Sequence, residues 1–240
     1  MDEKNEIKTT MDYSLFTFLK VNRDIDLSNL DKLIQSIKRK NFCKDYPILV
    51  NSQLEILDGQ HRFKACKALN LPIHYKIRTD FEMDDIILLN NASKNWAIKN
   101  YLHFYTGMNY PEYIYLNELI KKTGFQIGDL LIIAKGDTGA NYKAFRTGIY
   151  SVKNKIQYEN MVGNLVEIKR ICPEFFRNKY NLRAYNHVFA SDLDGKNQAI
   201  FISKLIKHPQ KTYATYNKRI SQELIEDIYN FNQKNRVRLF

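Results

Sequence analysis

Two kinds of hydrophobic spacing mark helices and strands in the first third of the chain. Apolar residues three and four positions apart predict a helix from about Asn29 to Lys40, capped by Asp26-Leu27-Ser28, with one face packed on a sheet. The short apolar runs that follow have the length of strands. The strands are predicted at Pro47 to Val50, Leu54 to Leu57 and Ile73 to Ile77, with a helix from Gln60 to Leu69 between the last two. This region is therefore predicted to be a small α/β unit.

After Asp80 the apolar pattern is almost wholly helical. The helical segments are predicted at Glu82 to Asn91, Trp96 to Thr106, Pro111 to Thr123, Ile149 to Arg170, Pro173 to Ala190, Lys196 to His208 and Tyr216 to Lys234. Gly124 separates two apolar-periodic segments between Tyr113 and Ala134, which is the length and the turn residue of a helix-turn-helix. Any two packed helices joined at a glycine give the same pattern, so both interpretations stay open.

Together these patterns predict an α+β fold, a small α/β domain followed by an all-helical region. The predicted parts are a disordered arm over residues 1–12, the α/β domain over 13–80, a helical domain with the helix-turn-helix candidate over 81–135, and a basic helical region over 140–240. The segment 136–139 is the candidate linker between the last two, and Asn235 to Phe240 is interpreted as a basic tail.

Positive charge is concentrated in the C-terminal part of the chain. Residues 141–240 contain 18 Lys and Arg against 8 Asp and Glu, so they carry +10 of the net charge of +11. Phosphate neutralisation dominates nucleic-acid affinity, so this asymmetry suits a DNA-contacting surface. Lysines that only keep the protein soluble give the same asymmetry, so both interpretations stay open at this point. The candidate phosphate contacts are Lys153, Lys155, Arg177, Lys179, Arg183, Lys218, Arg219, Arg236 and Arg238.

The cysteines and the hydropathy pattern limit the class of protein. Cys43, Cys66 and Cys172 are odd in number and have no metal-ligand spacing, so neither a disulfide framework nor a zinc site is expected. No apolar run approaches the ~20 residues of a membrane-spanning helix. We therefore expect a cytoplasmic protein with reduced cysteines and no membrane partner.

The segment from Leu54 to Ile77 has the order of elements that builds an anion site. A short strand runs into Asp58-Gly59-Gln60-His61-Arg62 and then into a basic helix. The glycine permits a sharp turn, and the unpaired N–H groups and dipole of the following helix favour a phosphate. The plain alternative is a strand-to-helix turn whose arginine covers the sheet edge.

Three blocks in order carry a resemblance to a known family. They are Asn22-Arg23 ahead of a helix with Leu30, Leu33, Ile34 and Ile37, then Pro47-Ile48-Leu49-Val50, then the DGQHR box at 58–62. From Phe18 to Ile77 the chain resembles the ParB/sulfiredoxin-type domain. That domain occurs in plasmid and chromosome partition proteins, their phage and mobile-element relatives, sulfiredoxins and free serine kinases.

The resemblance implies a nucleotide site, for CTP or ATP with Mg²⁺. Gly59, Gln60 and His61 would present backbone N–H groups to the phosphates, and Arg62 would neutralise their charge. Arg23 would be a second cation, and Asp58 would orient Arg62 or help to bind a metal. For His61 a capping role at the helix start is the alternative.

The same comparison limits the chemistry. Asn91 matches the asparagine that helps to hold the metal in partition proteins. Asn90 stands where those proteins carry a glutamate that assists hydrolysis, and it lacks the carboxylate. The resemblance therefore favours nucleotide binding with at most slow hydrolysis. Both asparagines could instead simply end a helix. Gln60 stands where sulfiredoxins carry their cysteine, which argues against that activity. Asn22-Arg23-Asp24 stands where the kinases carry their catalytic glutamate; the arginine argues against kinase activity, and Asp24 beside it keeps that alternative open.

The sequence thus favours a ParB-like, nucleotide-regulated DNA-binding protein of a plasmid, phage or mobile element, with a role in partition or regulation. Homodimer formation, as in the relatives, is a further expectation. The alternatives are a ParB-like enzyme, either a nuclease or a free-serine-type kinase, and an interaction module without nucleotide function.

Overall fold

A computed structural model describes residues 6–80, 85, 96–136, 140–177, 179–190, 197–209 and 213–240 of the chain. The fold is α+β, as the sequence predicted. The chain divides into two compact units, residues 1–108 and 109–240. The first contains a five-stranded mixed sheet, and the described part of the second is helical.

The sheet of the first unit is built from short strands. They are β1 (Lys8–Thr10), β2 (Thr17–Phe18), β3 (Ile48–Val50), β4 (Glu55–Asp58) and β5 (Ile73–Ile77). Their order is β1-β5-β3-β4-β2, with β3 parallel to β5 and antiparallel to β4. The outer strand β1 is antiparallel to β5, and β2 is parallel to β4. The central position of β3 buries its side chains Ile48 and Val50.

Strand β1 corrects the prediction that the first dozen residues form a disordered arm. Lys8–Thr10 pairs with Ile73–Tyr75, and Thr9 Oγ1 lies 2.8 Å from His74 Nδ1. An edge strand needs only backbone hydrogen bonds on one side. Its polar and largely exposed side chains therefore leave no hydrophobic pattern from which the strand could be predicted.

Two helices and the sheet enclose the core of the first unit. Helix α1 (Leu27–Arg39) begins at its N-cap Asp26, whose side chain accepts the N–H of Asn29. Helix α2 (Gln60–Ala68) follows β4 after a single glycine. Ile37, Ile56 and Phe63 meet in this core and are at most 3% exposed. The predicted strand-helix-strand order from 54 to 77 is thereby confirmed.

A third helix, α3 (Ile98–Gly107), belongs to the first unit. Buried Trp96 packs on Tyr101 and Phe104 with ring centroids 5.1 and 5.5 Å apart. The division between the units thus falls at 108/109, whereas the sequence pattern placed a boundary at residue 80. The predicted helix from Glu82 to Asn91 lies outside the described residues apart from Asp85.

The second unit contains seven α-helices in its described residues. They are α4 (Pro111–Thr123), α5 (Ile127–Lys135), α6 (Tyr142–Arg146), α7 (Lys155–Ile171), α8 (Lys179–Phe189), α9 (Gln198–Lys207) and α10 (Lys218–Asn230). Asparagine side chains at Asn141, Asn154, Asn197 and Asn217 cap α6, α7, α9 and α10. These caps set the helix starts, which lie a few residues later than predicted for α7, α9 and α10. No helix in the described ranges has the length and apolar composition needed to cross a bilayer.

Aromatic side chains form the centre of the second unit. Tyr185 and Phe189 of α8 pack on Phe201 of α9, with ring centroids 5.3 and 5.5 Å from that of Phe201. Phe175 lies on a short 3-10 helix (Pro173–Phe176) that precedes α8, so the predicted helix from Pro173 to Ala190 is two elements. Phe175 is completely buried, so its ring packs in the core of the unit.

The helix-turn-helix candidate is a pair of helices joined at Gly124, which adopts the left-handed conformation with φ +65°. The second helix, α5, has four consecutive buried residues from Leu130 to Ile133 and packs on α7 and α8. A DNA-reading helix needs an exposed polar face for the major groove. Helix α5 has the burial of a core helix, so the structure favours the packed-pair interpretation.

The predicted basic tail folds back on α10. Arg236 forms an ion pair with Asp227, with 2.8 Å between Nη2 and Oδ1. The side chain of Leu239 is buried, and its N–H donates to Glu226 Oε2 at 2.9 Å. The C-terminal residues are therefore a packed segment and not an extended arm.

Candidate functional site

The turn between β4 and α2 requires a glycine. Gly59 is the N-cap of α2 and has φ +95°, in the left-handed region that glycine tolerates best. A Cβ atom at this position would lie 2.7 Å from Cγ2 of Ile48 on the central strand. Backbone conformation and close packing therefore both exclude a larger side chain.

Because its N-cap has no side chain, α2 begins without a side-chain cap. The first carbonyl of the helix ladder is that of Gly59, which accepts the N–H of Phe63 at 2.9 Å. The N–H groups of Gln60, His61 and Arg62 precede that bond and have no intrahelical acceptor. Together with the helix dipole, they make this end of α2 favourable for an anion.

These residues line a cavity of about 360 Å³. Its wall also contains Arg23, Asp58, and the aromatic side chains of Phe42 and Tyr46. The structure thus brings together all six residues that the resemblance assigned to nucleotide: Arg23, Asp58, Gly59, Gln60, His61 and Arg62. The two aromatic residues were not predicted, because a loop aromatic has no spacing signal of its own.

Arg62 is held at the turn by Asp58. Its Nη2 lies 3.0 Å from Asp58 Oδ2, and the arginine side chain is 25% exposed. The Nε atom of Arg62 is buried and has no hydrogen-bond partner among the described residues. Asp58 therefore orients one edge of the guanidinium, which is one of its two predicted roles, and leaves a buried donor unsatisfied.

Arg23 is placed by its neighbour Asn22. The Nδ2 of Asn22 donates to the carbonyl of Ile56 in β4 at 2.9 Å, so this side chain fastens the loop to the sheet. The carbonyl of Asn22 lies 2.8 Å from Nε2 of His103 on α3. With Asn22 buried and fixed on two sides, Arg23 follows in a defined position at the cavity wall.

His61 connects the two helices next to the cavity. Its Nε2 accepts the backbone N–H of Asp26, the N-cap residue of α1, at 3.1 Å. Burial and then the nearby positive charge of Arg23 lower the pKa of His61. This favours the neutral imidazole that the hydrogen bond requires. The side chain thus supports the start of α1, while the backbone N–H of His61 remains at the start of α2.

A second cavity of about 540 Å³ adjoins the first, since Arg23, Leu33 and His61 line both. Its remaining wall comes from the start of α1 and from one face of α3, where Lys99, Asn100 and His103 are spaced for a single side. The predicted site did not include these α3 residues. Their spacing is that of any polar helix face, so the sequence does not distinguish them. The packing of α3 in the first unit is what brings them to the wall of this cavity.

Asn91, the predicted metal-side residue, lies outside the described residues. Within the described ranges, no group of three or more His, Cys, Asp or Glu side chains is arranged to hold a metal ion. Asp58 is the carboxylate in the wall of the smaller cavity, and Asp24 and Asp26 lie in the wall of the larger one.

The nine predicted DNA contacts in the second unit have different surroundings. Four of them form ion pairs with carboxylates, namely Lys155 with Glu112, Arg177 with Glu174, Arg219 with Glu223 and Arg236 with Asp227. Arg238 donates from Nε to the carbonyl of Phe240 at 2.9 Å. The other four are Lys153, Lys179, Arg183 and Lys218. Of these, Arg183 and Lys218 line the same cavity.

Comparison with protein-family models gives no match, and comparison with curated proteins gives none either.

Proposed function

We propose that the first unit binds a nucleoside triphosphate and that nucleotide binding regulates DNA binding by the basic second unit. The observation that carries this proposal is the convergence of Arg23, Arg62 and the uncapped start of α2 on one cavity. Two guanidinium groups and a helix N-terminus are a combination suited to a polyphosphate. Asp58 neutralises part of this charge but leaves Nε of Arg62 unsatisfied.

The size of the two adjoining cavities supports a ligand larger than a phosphate ion. At about 360 and 540 Å³, each falls within the roughly 300–1,000 Å³ of small-molecule sites. The resemblance of residues 18–77 to the ParB/sulfiredoxin-type domain indicates CTP or ATP with Mg²⁺. A Mg²⁺ ion in such a site is held largely by phosphate oxygens and water, with one or two protein carboxylates. Asp58 is the residue of this cavity that could supply one.

DNA is the partner that the charge distribution favours. The C-terminal hundred residues carry +10, and phosphate contacts of this kind give an affinity that falls steeply with salt. A nucleotide that stabilises one conformation of the first unit would then change the affinity of the second unit for DNA. The biological setting that the resemblance suggests is partition or regulation in a plasmid, phage or mobile element.

The nucleotide site is tested with an arginine variant and a matched control. We expect CTP or ATP with Mg²⁺ to bind the full chain in calorimetry and to raise its melting temperature. Arg62→Gln should lose at least about tenfold in affinity, because a charge-assisted hydrogen bond contributes roughly 1.5–3 kcal/mol. Arg39→Gln makes the same charge change at an exposed residue of α1 outside both cavities and should bind like the wild type.

Two results would contradict the proposal. One is equal affinity of Arg62→Gln and Arg39→Gln, and the other is the absence of binding for all four ribonucleoside triphosphates. The DNA part is tested separately by titrating a labelled duplex with the full chain at several salt concentrations, with and without nucleotide. No binding at low salt in either condition would contradict that part alone.

A further inference from the structure

A small cavity in the second unit lies between α8 and α10, two helices that pack against each other. Tyr180, Arg183 and His187 are three and four residues apart on α8, so they lie on one side of that helix. Lys218 and Gln222 are four residues apart on α10 and form the opposite wall. The cavity has a volume of about 150 Å³, and the exposure of His187 and Lys218 opens it to the surface.

The wall of this cavity carries positive charge and no carboxylate among its described residues. Arg183 and Lys218 are cations, and Gln222 provides an uncharged donor group. The two cavities of the first unit differ in this respect, because each has an aspartate in its wall. A negatively charged ligand would therefore meet no repulsive side chain within the lining of the small cavity.

Arg183 is only partly exposed, and its Nε atom is buried without a hydrogen-bond partner in the described part of the chain. Other arginines of the second unit are paired with carboxylates, Arg177 with Glu174 at 3.2 Å and Arg219 with Glu223 at 2.8 Å. A buried donor that lacks an acceptor is unfavourable, so such groups usually meet an acceptor from water or a ligand. Arg183 thus has unused donor capacity at the wall of a cation-lined cavity.

The start of α10 adds to the positive potential. Lys218 is the first residue of α10, and Asn217 caps the helix by accepting the N–H of Ile220 at 3.0 Å. The positive end of the helix dipole therefore lies beside the Lys218 side of the cavity. This contribution is secondary to the two side-chain charges, because it is screened at an exposed helix end.

The volume limits the ligand. About 150 Å³ is well below the roughly 300–1,000 Å³ of cavities that enclose whole small molecules. A single tetrahedral anion is small enough, and arginine with lysine matches the oxygens of a phosphate group.

We infer that Arg183, Lys218 and Gln222 form a binding site for one phosphate group between α8 and α10. The group can belong to a nucleic-acid backbone or to a small phosphorylated molecule. If the phosphate belongs to DNA, the inference rests on the proposed DNA binding by the second unit. Binding of a phosphate group as such does not depend on that proposal.

The site is tested with inorganic phosphate and with DNA on the full chain. In an amide NMR titration against chloride at equal ionic strength, phosphate should shift resonances of residues 180–187 and 218–222. Lys218→Gln and Arg183→Gln should each weaken this response at least tenfold. Lys143→Gln is the matched control, since Lys143 is also an exposed lysine in the first turn of a helix, but it neither lines the cavity nor belongs to the nine predicted DNA contacts.

Duplex binding identifies the source of the phosphate. If DNA uses the site, the slope of log affinity against log salt should fall by about one for Lys218→Gln and stay unchanged for Lys143→Gln. A phosphate response without that change in slope assigns the site to a small phosphorylated ligand. Absence of the phosphate response in the wild type, or an equal response in Lys218→Gln and Lys143→Gln, would overturn the inference. Arg183→Lys keeps the positive charge. A phosphate response that this variant retains and Arg183→Gln loses would show that loss of the charge, and not of folding, weakens binding. Failure of nucleotide binding at the first unit leaves this test unaffected.

Discussion

Nε2 of His61 accepts the backbone N–H of Asp26 at 3.1 Å, and this bond joins the first turn of α2 to the residue that caps α1. The Asp26 side chain in turn accepts the N–H of Asn29 at 3.2 Å. The starts of both helices in the candidate nucleotide site are therefore connected through one imidazole. Protonation of Nε2 would remove the acceptor and break the connection.

The first prediction concerns the titration of His61. Burial and Arg23 lower its pKa in the folded state, so the unfolded chain takes up the proton first as the pH falls. The stability of the first unit should therefore decline once the pH drops below about 6.5, and the decline should level off below the folded-state pKa. In an NMR titration the His61 ring should show a midpoint below the ordinary value.

His74 must be separated from His61 in that experiment, because burial and Lys44 lower the pKa of His74 in the same direction. His61→Gln and His74→Gln should each remove part of the pH dependence. Trp96 is the single tryptophan of the chain and is buried in the first unit, so its fluorescence reports unfolding of that unit. A His61 midpoint at or above the ordinary value would contradict the prediction.

The second prediction concerns Gly59. Alanine at this position should destabilise the first unit by roughly 1–3 kcal/mol through backbone strain, with a comparable addition from the clash with Ile48. Urea denaturation followed by Trp96 fluorescence measures this loss. The matched control is Gly163→Ala in α7, where a Cβ atom would meet nothing within 4 Å. That variant should gain about 0.5–1 kcal/mol in helix stability by circular dichroism. Equal effects of the two substitutions would contradict the steric account.

The third prediction concerns Asn22, the buried residue that fastens the Arg23 loop to β4. Asn22→Ala should cost about 1–3 kcal/mol, because the carbonyl of Ile56 loses its 2.9 Å donor inside the unit. If the proposed function holds, nucleotide affinity should also fall, since Arg23 is no longer held at the cavity. Gln35→Ala removes an amide from an exposed position of α1 and should change stability by less than about 0.5 kcal/mol. An Asn22→Ala variant as stable as Gln35→Ala would refute the anchoring role.

The fourth prediction concerns the thiol of Cys66. Burial raises its pKa to about 12, and its Sγ lies 3.2 Å from Sγ of Cys43, which is also buried. At pH 8 this thiol should therefore ionise far less than that of an ordinary exposed cysteine. In a variant with Cys43→Ser and Cys172→Ser, an alkylating reagent should label Cys66 slowly in buffer and rapidly in urea. Similar rates in both conditions would contradict the burial of this thiol.

Local sequence patterns were sufficient to predict an element where its backbone conformation and its buried face depend on neighbouring residues. The spacing of Ile34 and Ile37 predicted α1, and the strand-glycine-helix order predicted the turn at Gly59. Helix starts were less accurate, because asparagine is frequent both in loops and at helix caps, so the pattern did not identify Asn154 and Asn217 as the caps. Strand β1 was missed because its pairing partner β5 lies more than sixty residues away.

The sequence by itself determined the α+β fold, the glycine turn and the concentration of positive charge in the C-terminal part. Only the tertiary structure decided which polar side chains share a cavity. It placed Lys99 and His103 beside Arg23, buried α5 as a core helix, and brought Arg183 to Lys218. The physical reason is that turns and amphipathic faces arise from residues a few positions apart, whereas a binding site depends on contacts between distant segments.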